Sequence, residues 1–211
     1  MKFYWVKTHQ IVKWLLPYFV WDMPSRENTV YLTFDDGPTP EITAWVLDQL
    51  AQYEFKASFF CIGQNISDNP QIFSKIVEAG HAVGNHTHNH VNGWHTDAEA
   101  YMENVAKCVS EMSAFGVTTN LFRPPYGKLM HAQTVSLRND GYKIIMWDIL
   151  SADFDQRISP EQCLKNVLQN INSGSIIIFH DSVKAFKNLE YVLPKTLEYI
   201  KNKGFKCAAI S

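Results

Sequence analysis

Five of the chain's eight histidines fall between His81 and His95, and GNHTHNH (84–90) holds three of them. Imidazole is neutral near physiological pH and is a common metal ligand. His86 and His90 are four positions apart, so one helical turn would put both on one face. His88 would then point elsewhere, and it is expected to hydrogen-bond locally or to face solvent, as are His81 and His95. A second concentration of chemistry is the pair Asp35-Asp36, which ends the run TVYLTF and precedes Gly37-Pro38. His86 and His90 with one of these carboxylates make a nitrogen, nitrogen, oxygen ligand set. Three protein ligands leave a position open, which suits a catalytic zinc or a similar divalent ion. Strand alternation and the turn aim the two aspartates differently. One can hold the metal while the other stays free as a general base. Arg123 can hold that base ionised through paired hydrogen bonds, and His180 can act as the acid that protonates a leaving group.

The elements that position these groups alternate. TVYLTF (29–34), KASFFCI (56–62), HAVGNH (81–86), NLFR (120–123), YKIIMWD (142–148), SIIIFH (175–180) and FKCAAI (205–210) read as strands, rich in β-branched and aromatic residues. Between them lie segments of helical spacing with start and stop signals, such as Asn69 and Pro70 before IFSKIVEA and Gly80 after it. Alternation of this kind predicts a parallel sheet, closed or open. About seven strands suits an incomplete (β/α) barrel. Most strands end on polar residues: Asp35-Asp36, His86, Arg123, Asp148 and His180-Asp181. In parallel α/β folds the carboxyl ends share one face, where active sites sit, so these side chains are expected to converge.

The remaining sequence excludes more than it assigns. At 46% hydrophobic residues and a net charge of −2, the chain has a core to bury and no electrostatic case for nucleic acid. Cys61, Cys108, Cys163 and Cys207 are far apart, as expected of reduced thiols. Residues 1–27 form an aromatic and basic arm ahead of a domain at 28–211. Lys13 and Pro17 interrupt it, so it reads as neither a signal peptide nor a membrane span. A helical arm packed on its own domain is expected; the mixture of lysines with tryptophan and tyrosine also allows peripheral contact with a membrane surface. The compartment expected is cytoplasmic or membrane-associated, and oligomeric state is open.

TFDDG (33–37), HTHNH (86–90), RPPY (123–126) and IFH (178–180) resemble, in order, motifs of the polysaccharide deacetylases with a NodB-homology domain, carbohydrate esterase family 4. The resemblance spans about residues 29 to 210. It implies a distorted, incomplete (β/α) barrel that removes acetyl groups from N-acetylated sugars or, in some members, from O-acetylated xylan. It implies Asp35 as base, with Asp36, His86 and His90 as ligands of a divalent metal, Zn²⁺ first and Co²⁺ or another ion as alternatives. Arg123 would orient Asp35, the Tyr126 N–H would help hold the oxyanion, and His180 would be the acid, tuned by Asp153. Ile178 stands where the family usually has leucine. In LSADF (150–154), Leu150 and Phe154 replace the usual aspartate and tryptophan, which bears on the acetyl pocket. Trp94, Tyr126, Trp147 and Phe154 are candidates to stack on sugar rings, although Trp147 inside a strand run also fits a core position. The expected reaction is N-deacetylation of an N-acetylglucosamine-containing oligo- or polysaccharide. The alternatives are an O-acetyl esterase on xylan-like sugar, an amidohydrolase acting on a small non-sugar amide, and a non-catalytic sugar-binding module with a structural metal.

Overall fold

A computed structural model describes residues 5–24 and 27–211. The long apolar runs form strands buried on both faces, as a parallel sheet covered by helices requires. The strands are β1 (Phe19–Val20), β2 (Thr29–Asp35), β3 (Ser58–Cys61), β4 (Ala82–Asn85), β5 (Leu121–Phe122), β6 (Lys143–Ile145), β7 (Ile149–Leu150), β8 (Ile176–His180) and β9 (Lys206–Cys207). The helices are α1 (Gln10–Leu15), α2 (Ile42–Ala51), α3 (Gly63–Asp68), α4 (Pro70–Glu78), α5 (Ala98–Ser113), α6 (His131–Asn139), α7 (Pro160–Leu168) and α8 (Phe186–Asn202). The sheet runs β1-β6-β5-β4-β3-β2-β8-β7, with β9 added to β2, and every ladder is parallel. It curls into the incomplete (β/α) barrel that the alternation predicts.

Period-two alternation along β2 divides the molecule into two apolar layers. Phe34 faces the helices, stacked between Phe59 and Phe179. Thr33 and Asp35 face the other way and meet Arg123. The helices cover the outer layer with one stripe each. In α8 the stripe is Leu189, Val192, Leu193, Leu197 and Ile200; in α5 it is Tyr101, Val105, Cys108 and Met112. Each fully buried aliphatic side chain of this kind stabilises the fold by roughly 1.5–3 kcal/mol. A second layer inside the barrel contains Phe60, Leu121, Ile145, Ile176 and Ile210, and it is the floor on which the polar residues stand.

Three local expectations are corrected. Asn69 precedes α4, but its side chain does not cap it; the amide donates to the carbonyls of Pro38 and Asn65. The helix α3 has no signal in the sequence because it is short and begins at a glycine. Asp148 does not converge with the other strand ends. The run YKIIMWD stops being strand at Ile145, and the chain then starts β7. Asp148 therefore bonds Ser175, which precedes β8, whereas His180 ends that strand.

Asp148 instead fastens the amino-terminal arm. Its carboxylate, nearly inaccessible, accepts from both Lys7 and Lys13. Lys7 bridges to Ile149, Val6 accepts from Leu150, and β1 pairs with β6, so the arm reaches both edges of the curled sheet. This geometry turns Lys7 and Lys13 toward Asp148. Trp5, Ile11, Trp14, Leu15 and Tyr18 remain exposed, Trp14 by 77%. Among the described residues no helix is long and apolar enough to cross a membrane. Replacing Asp148 by alanine leaves Lys13, whose side chain is only 10% exposed, with Asp22 as its one carboxylate partner among the described residues, and removes the carboxylate that Lys7 and Ser175 also bond. Removing this shared acceptor of charged donors is expected to cost about 2 kcal/mol in urea denaturation. A loss below about 1 kcal/mol, the range of a surface pair, would mean that this network does not fasten the arm.

Candidate active site

The site is assembled at the carboxyl ends of β2, β4, β5 and β8. Asp35 and His180 are in register as neighbours on β2 and β8, and the Asp181 N–H donates to the Asp35 carbonyl. Just past β2 the backbone reverses through Asp36, at φ 82°, and this left-handed conformation turns its side chain away from that of Asp35. The loop after β4 brings His86 and His90 together, although not by the helical turn that their spacing suggests. Residues 86–90 are irregular, with left-handed backbone at Thr87 and His90. The Asn85 amide braces this loop, accepting from the Thr87 N–H and donating to the Val105 carbonyl.

Three ligand atoms meet. The Nε2 atoms of His90 and His86 lie 3.3 and 3.7 Å from Asp36 Oδ1, and the three residues offer donor atoms all within 4.8 Å of one another. Second contacts fix the rings. His86 Nδ1 donates to the Arg123 carbonyl at 2.7 Å, which leaves Nε2 with its lone pair toward Asp36. His90 Nδ1 contacts the Tyr126 hydroxyl at 3.2 Å. Such outer partners hold the rings of metal-binding histidines in place. Asp36 Oδ1 is shut off from solvent and accepts no hydrogen bond among the described residues. An orphaned carboxylate oxygen between two imidazole nitrogens fits a divalent cation. Burial holds His86 down to about 4, so its ring is neutral and ligand-competent at neutral pH. The Asp36 carboxyl is driven well below the usual range despite its burial, by its contact with His90 and the surrounding imidazoles.

Arg123 is completely buried, and each of its three side-chain nitrogens donates a hydrogen bond. It gives Nη1 to Asp35 Oδ1 and to the Thr33 hydroxyl, both at 2.7 Å, Nε to the Ile145 carbonyl and Nη2 to the Met146 carbonyl. Its guanidinium also lies 4.1 Å from the centroid of the Phe60 ring. One oxygen of Asp35 is thereby locked, and the other, Oδ2, lies 3.8 Å from His86 Nε2. On the opposite side His180 Nδ1 meets Asp153 Oδ1 at 2.8 Å, and the His180 N–H donates to the other carboxylate oxygen. Burial alone would lower this imidazole, but the Asp153 carboxylate beside it raises it to about 9.

The other candidates are spread around this centre. Tyr126 is left-handed at φ 60°, and its ring, 60% exposed, packs edge-on against His90. Trp94 is equally exposed, with the Lys128 ammonium over its ring. Phe154 stands edge-on to His180. Ile178 is 2% exposed and packs with Leu150, Trp147 and Phe154 into an apolar patch beside that histidine. Trp147 is part-buried and also reaches the inner core. His88 lies outside the cluster and is half-buried; its backbone N–H donates to Asn104, and its Nδ1 is buried without a partner among the described residues. The His81 ring accepts from the Ala57 N–H.

Sequence reasoning missed three residues, Thr33, Thr43 and Asn65, and it placed Asp181 at a strand end without a role. Thr33 shares the Arg123 donor, and Asn65 donates to the Asp36 carbonyl at 2.6 Å. Thr43 and Asp181 bond each other beneath the Asp35-Asp36 turn. Only Thr33 carried a usable signal, because alternation places it on the same face of β2 as Asp35.

A metal-competent triad, a separate buried carboxylate held by arginine and a histidine-aspartate pair, all at barrel strand ends, define a metal-dependent hydrolase. The model of the family described as polysaccharide deacetylase matches residues 22–145. A peptidoglycan-N-acetylglucosamine deacetylase of Bacillus cereus is 30% identical over 92% of this chain and 92% of its own length. A chitooligosaccharide deacetylase of Azorhizobium caulinodans is 32% identical over 74% of this chain and 75% of its own. The crystal structure of a peptidoglycan N-acetylglucosamine deacetylase in complex with an N-oxidanyl-benzamide superimposes with a TM-score of 0.88 at 30% identity, covering 94% of each chain. The chain belongs to the polysaccharide deacetylase family. A mutant of a family pseudoenzyme with restored enzymatic activity also shares the fold, with a TM-score of 0.80 at 26% identity over 90% of this chain and 68% of its own. The fold therefore does not decide catalysis; the side chains do.

Proposed function

We propose that this protein hydrolyses the N-acetyl group of N-acetylglucosamine residues in an oligo- or polysaccharide, releasing acetate and leaving a free amine. The observation that carries this reading is the division of labour at Asp35 and Asp36. One carboxylate faces two imidazoles, and the next, locked by Arg123 at 2.7 Å, keeps an oxygen free beside them. A binding module with a structural metal has no use for that second carboxylate or for a paired His180. Asp36, His86 and His90 would hold the divalent ion, and zinc suits two imidazoles and a carboxylate. When bound, such an ion supplies Lewis-acid polarisation and makes hydroxide available near neutral pH.

The chain's own residues supply the rest. Asp35 Oδ2 takes a proton from the attacking water as its oxygen joins the acetyl carbon. The N–H of Tyr126, a residue held in left-handed backbone, donates to the oxygen on which negative charge develops; one such donor is typically worth about 10²–10³ in rate. His180 gives its proton to the nitrogen as the carbon–nitrogen bond breaks, and Asp153 holds the ring for that transfer. The patch of Leu150, Trp147, Phe154 and Ile178 receives the acetyl methyl, while Trp94 and Tyr126 offer exposed faces to the sugar.

The reading is tested by acetate release from N-acetylglucosamine oligomers and from O-acetylated xylan oligomers, with metal analysis of the same preparation. Activity on the N-acetyl substrates is expected, with loss on chelation and return on adding zinc. Chelator-insensitive activity, or turnover confined to the O-acetyl sugar, would overturn it.

A further inference from the structure

Asp36 carries an L-residue into the left-handed region, which costs on the order of 1–3 kcal/mol and persists only where the surroundings over-determine it. The groups that hold it there are specific. Asp181 spans the residue from both sides. Its backbone N–H donates to the Asp35 carbonyl at 3.1 Å, and its Oδ1 accepts the Gly37 N–H, also at 3.1 Å. Its other oxygen takes the Thr43 hydroxyl at 2.5 Å, and that hydroxyl accepts the Thr39 N–H at 2.7 Å. The fit is tight, since a Cβ on Gly37 would stand 2.0 Å from Asp181 Oδ2. Asp181 and Thr43 are wholly buried. Neither is among the residues that the mechanism uses.

We propose that Asp181, oriented by Thr43, is a positioning residue that sets the angle between the base Asp35 and the metal ligand Asp36 by clamping the peptides on either side of Asp36. The peptide carbonyl before Asp36 and the N–H after it are both tied to one residue at the end of β8, the strand that also ends in His180. A rotation at Asp36 would swing its carboxylate away from the two imidazoles and move Asp35 against Arg123. The clamp thus couples base, ligand and acid in one rigid unit, and its side chain touches nothing that a sugar could reach.

The test measures zinc affinity of the chelator-stripped protein against a chromogenic chelator, together with kcat and KM, in Asp181→Ala, Thr43→Val and Thr43→Ser. Loss of an outer partner of this kind is expected to weaken zinc binding by about 10-fold or more. Asp181→Ala and Thr43→Val should show that weakening and a lower kcat at unchanged KM. Thr43→Ser, which keeps the hydroxyl, should restore wild-type values. If Asp181→Ala does not fold, the threonine pair decides. Wild-type zinc affinity and kcat in folded Thr43→Val, with only a lower melting temperature, would reduce Asp181 to an ordinary core contact and overturn the proposal. The inference rests on the metal reading of Asp36. Zinc binding absent from the wild type itself would sink that reading, and the clamp is then judged by hydrogen exchange at the Gly37 amide. Faster exchange in Thr43→Val than in Thr43→Ser supports the clamp, and equal exchange removes it.

Discussion

Asparagine in place of Asp35 is expected to lower kcat by about 10²–10⁴, the usual worth of a general base, while zinc stays bound. The two effects separate because the residue's oxygens have separate tasks. Oδ1 accepts from Arg123 at 2.7 Å, and an asparagine carbonyl can take that place. Oδ2 is the free oxygen, and an amide nitrogen there cannot accept a proton. The ligands Asp36, His86 and His90 are left intact, so metal content should match the wild type. The same change in Asp36 should remove metal and activity together. Stability provides a third reading. Burial already disfavours the charged Arg123, and Asp35 is the carboxylate in contact with it. Neutralising Asp35 leaves a buried guanidinium with only neutral acceptors, a loss expected at about 3 kcal/mol in denaturant titration. Rates must therefore be taken per folded molecule. A variant that retains turnover would show that Asp35 is not the base. A variant that loses metal would show that the two aspartates act as one ligand group.

The sequence displayed this site to the extent that its residues lie at the ends of recognisable strands. β2 and β8 are long apolar runs, and their polar terminal residues stand out against them. The same reasoning failed at Asp148, for a physical reason. A strand is read as one uninterrupted apolar run, but β6 ends inside YKIIMWD, and the rest of that run starts another strand. It failed more subtly at His86 and His90. A spacing of four is shared by one helical turn and by a loop containing two left-handed residues, and no local pattern distinguishes them. The clamp on Asp36 was illegible for a different reason. Asp181 stands out as a polar strand end, but Thr43 reads as an unremarkable residue inside a helix, and their meeting across 138 positions has no local signal. Long-range hydrogen bonds of this kind belong to the tertiary structure and leave no trace in periodicity. The arm was also incompletely legible. Its helix is short, and the edge strand β1 is two residues that acquire strand geometry only by pairing with β6.

Removal of the His180 imidazole distinguishes the two kinds of acetyl bond. An amine is a poor leaving group without a proton, so His180→Ala is expected to cost about 10²–10⁴ in kcat on an N-acetyl sugar. An O-acetyl ester needs less help, and the same variant should lose far less on acetylated xylan. Equal losses on both would argue that His180 holds the substrate rather than protonating it. The pH profile supplies the second half of the test. In the protein without metal, Asp153 holds the imidazole up to about 9, well above its ordinary 6.5. The sign follows directly: the acid is protonated below that value, and activity falls as pH rises through it. The same shift stabilises the folded state below about 6.5, and that contribution is lost as pH rises through about 9. A cation on Asp36 offsets one of the carboxylates that raise the value, so the alkaline limb of the loaded enzyme should lie below 9. Asp153→Asn removes the carboxylate charge at 2.8 Å and should move the limb further toward neutrality, with metal content unchanged. A limb that stays in place in that variant would separate Asp153 from the titration and leave it only the task of anchoring the His180 backbone, to which its second oxygen is already bound.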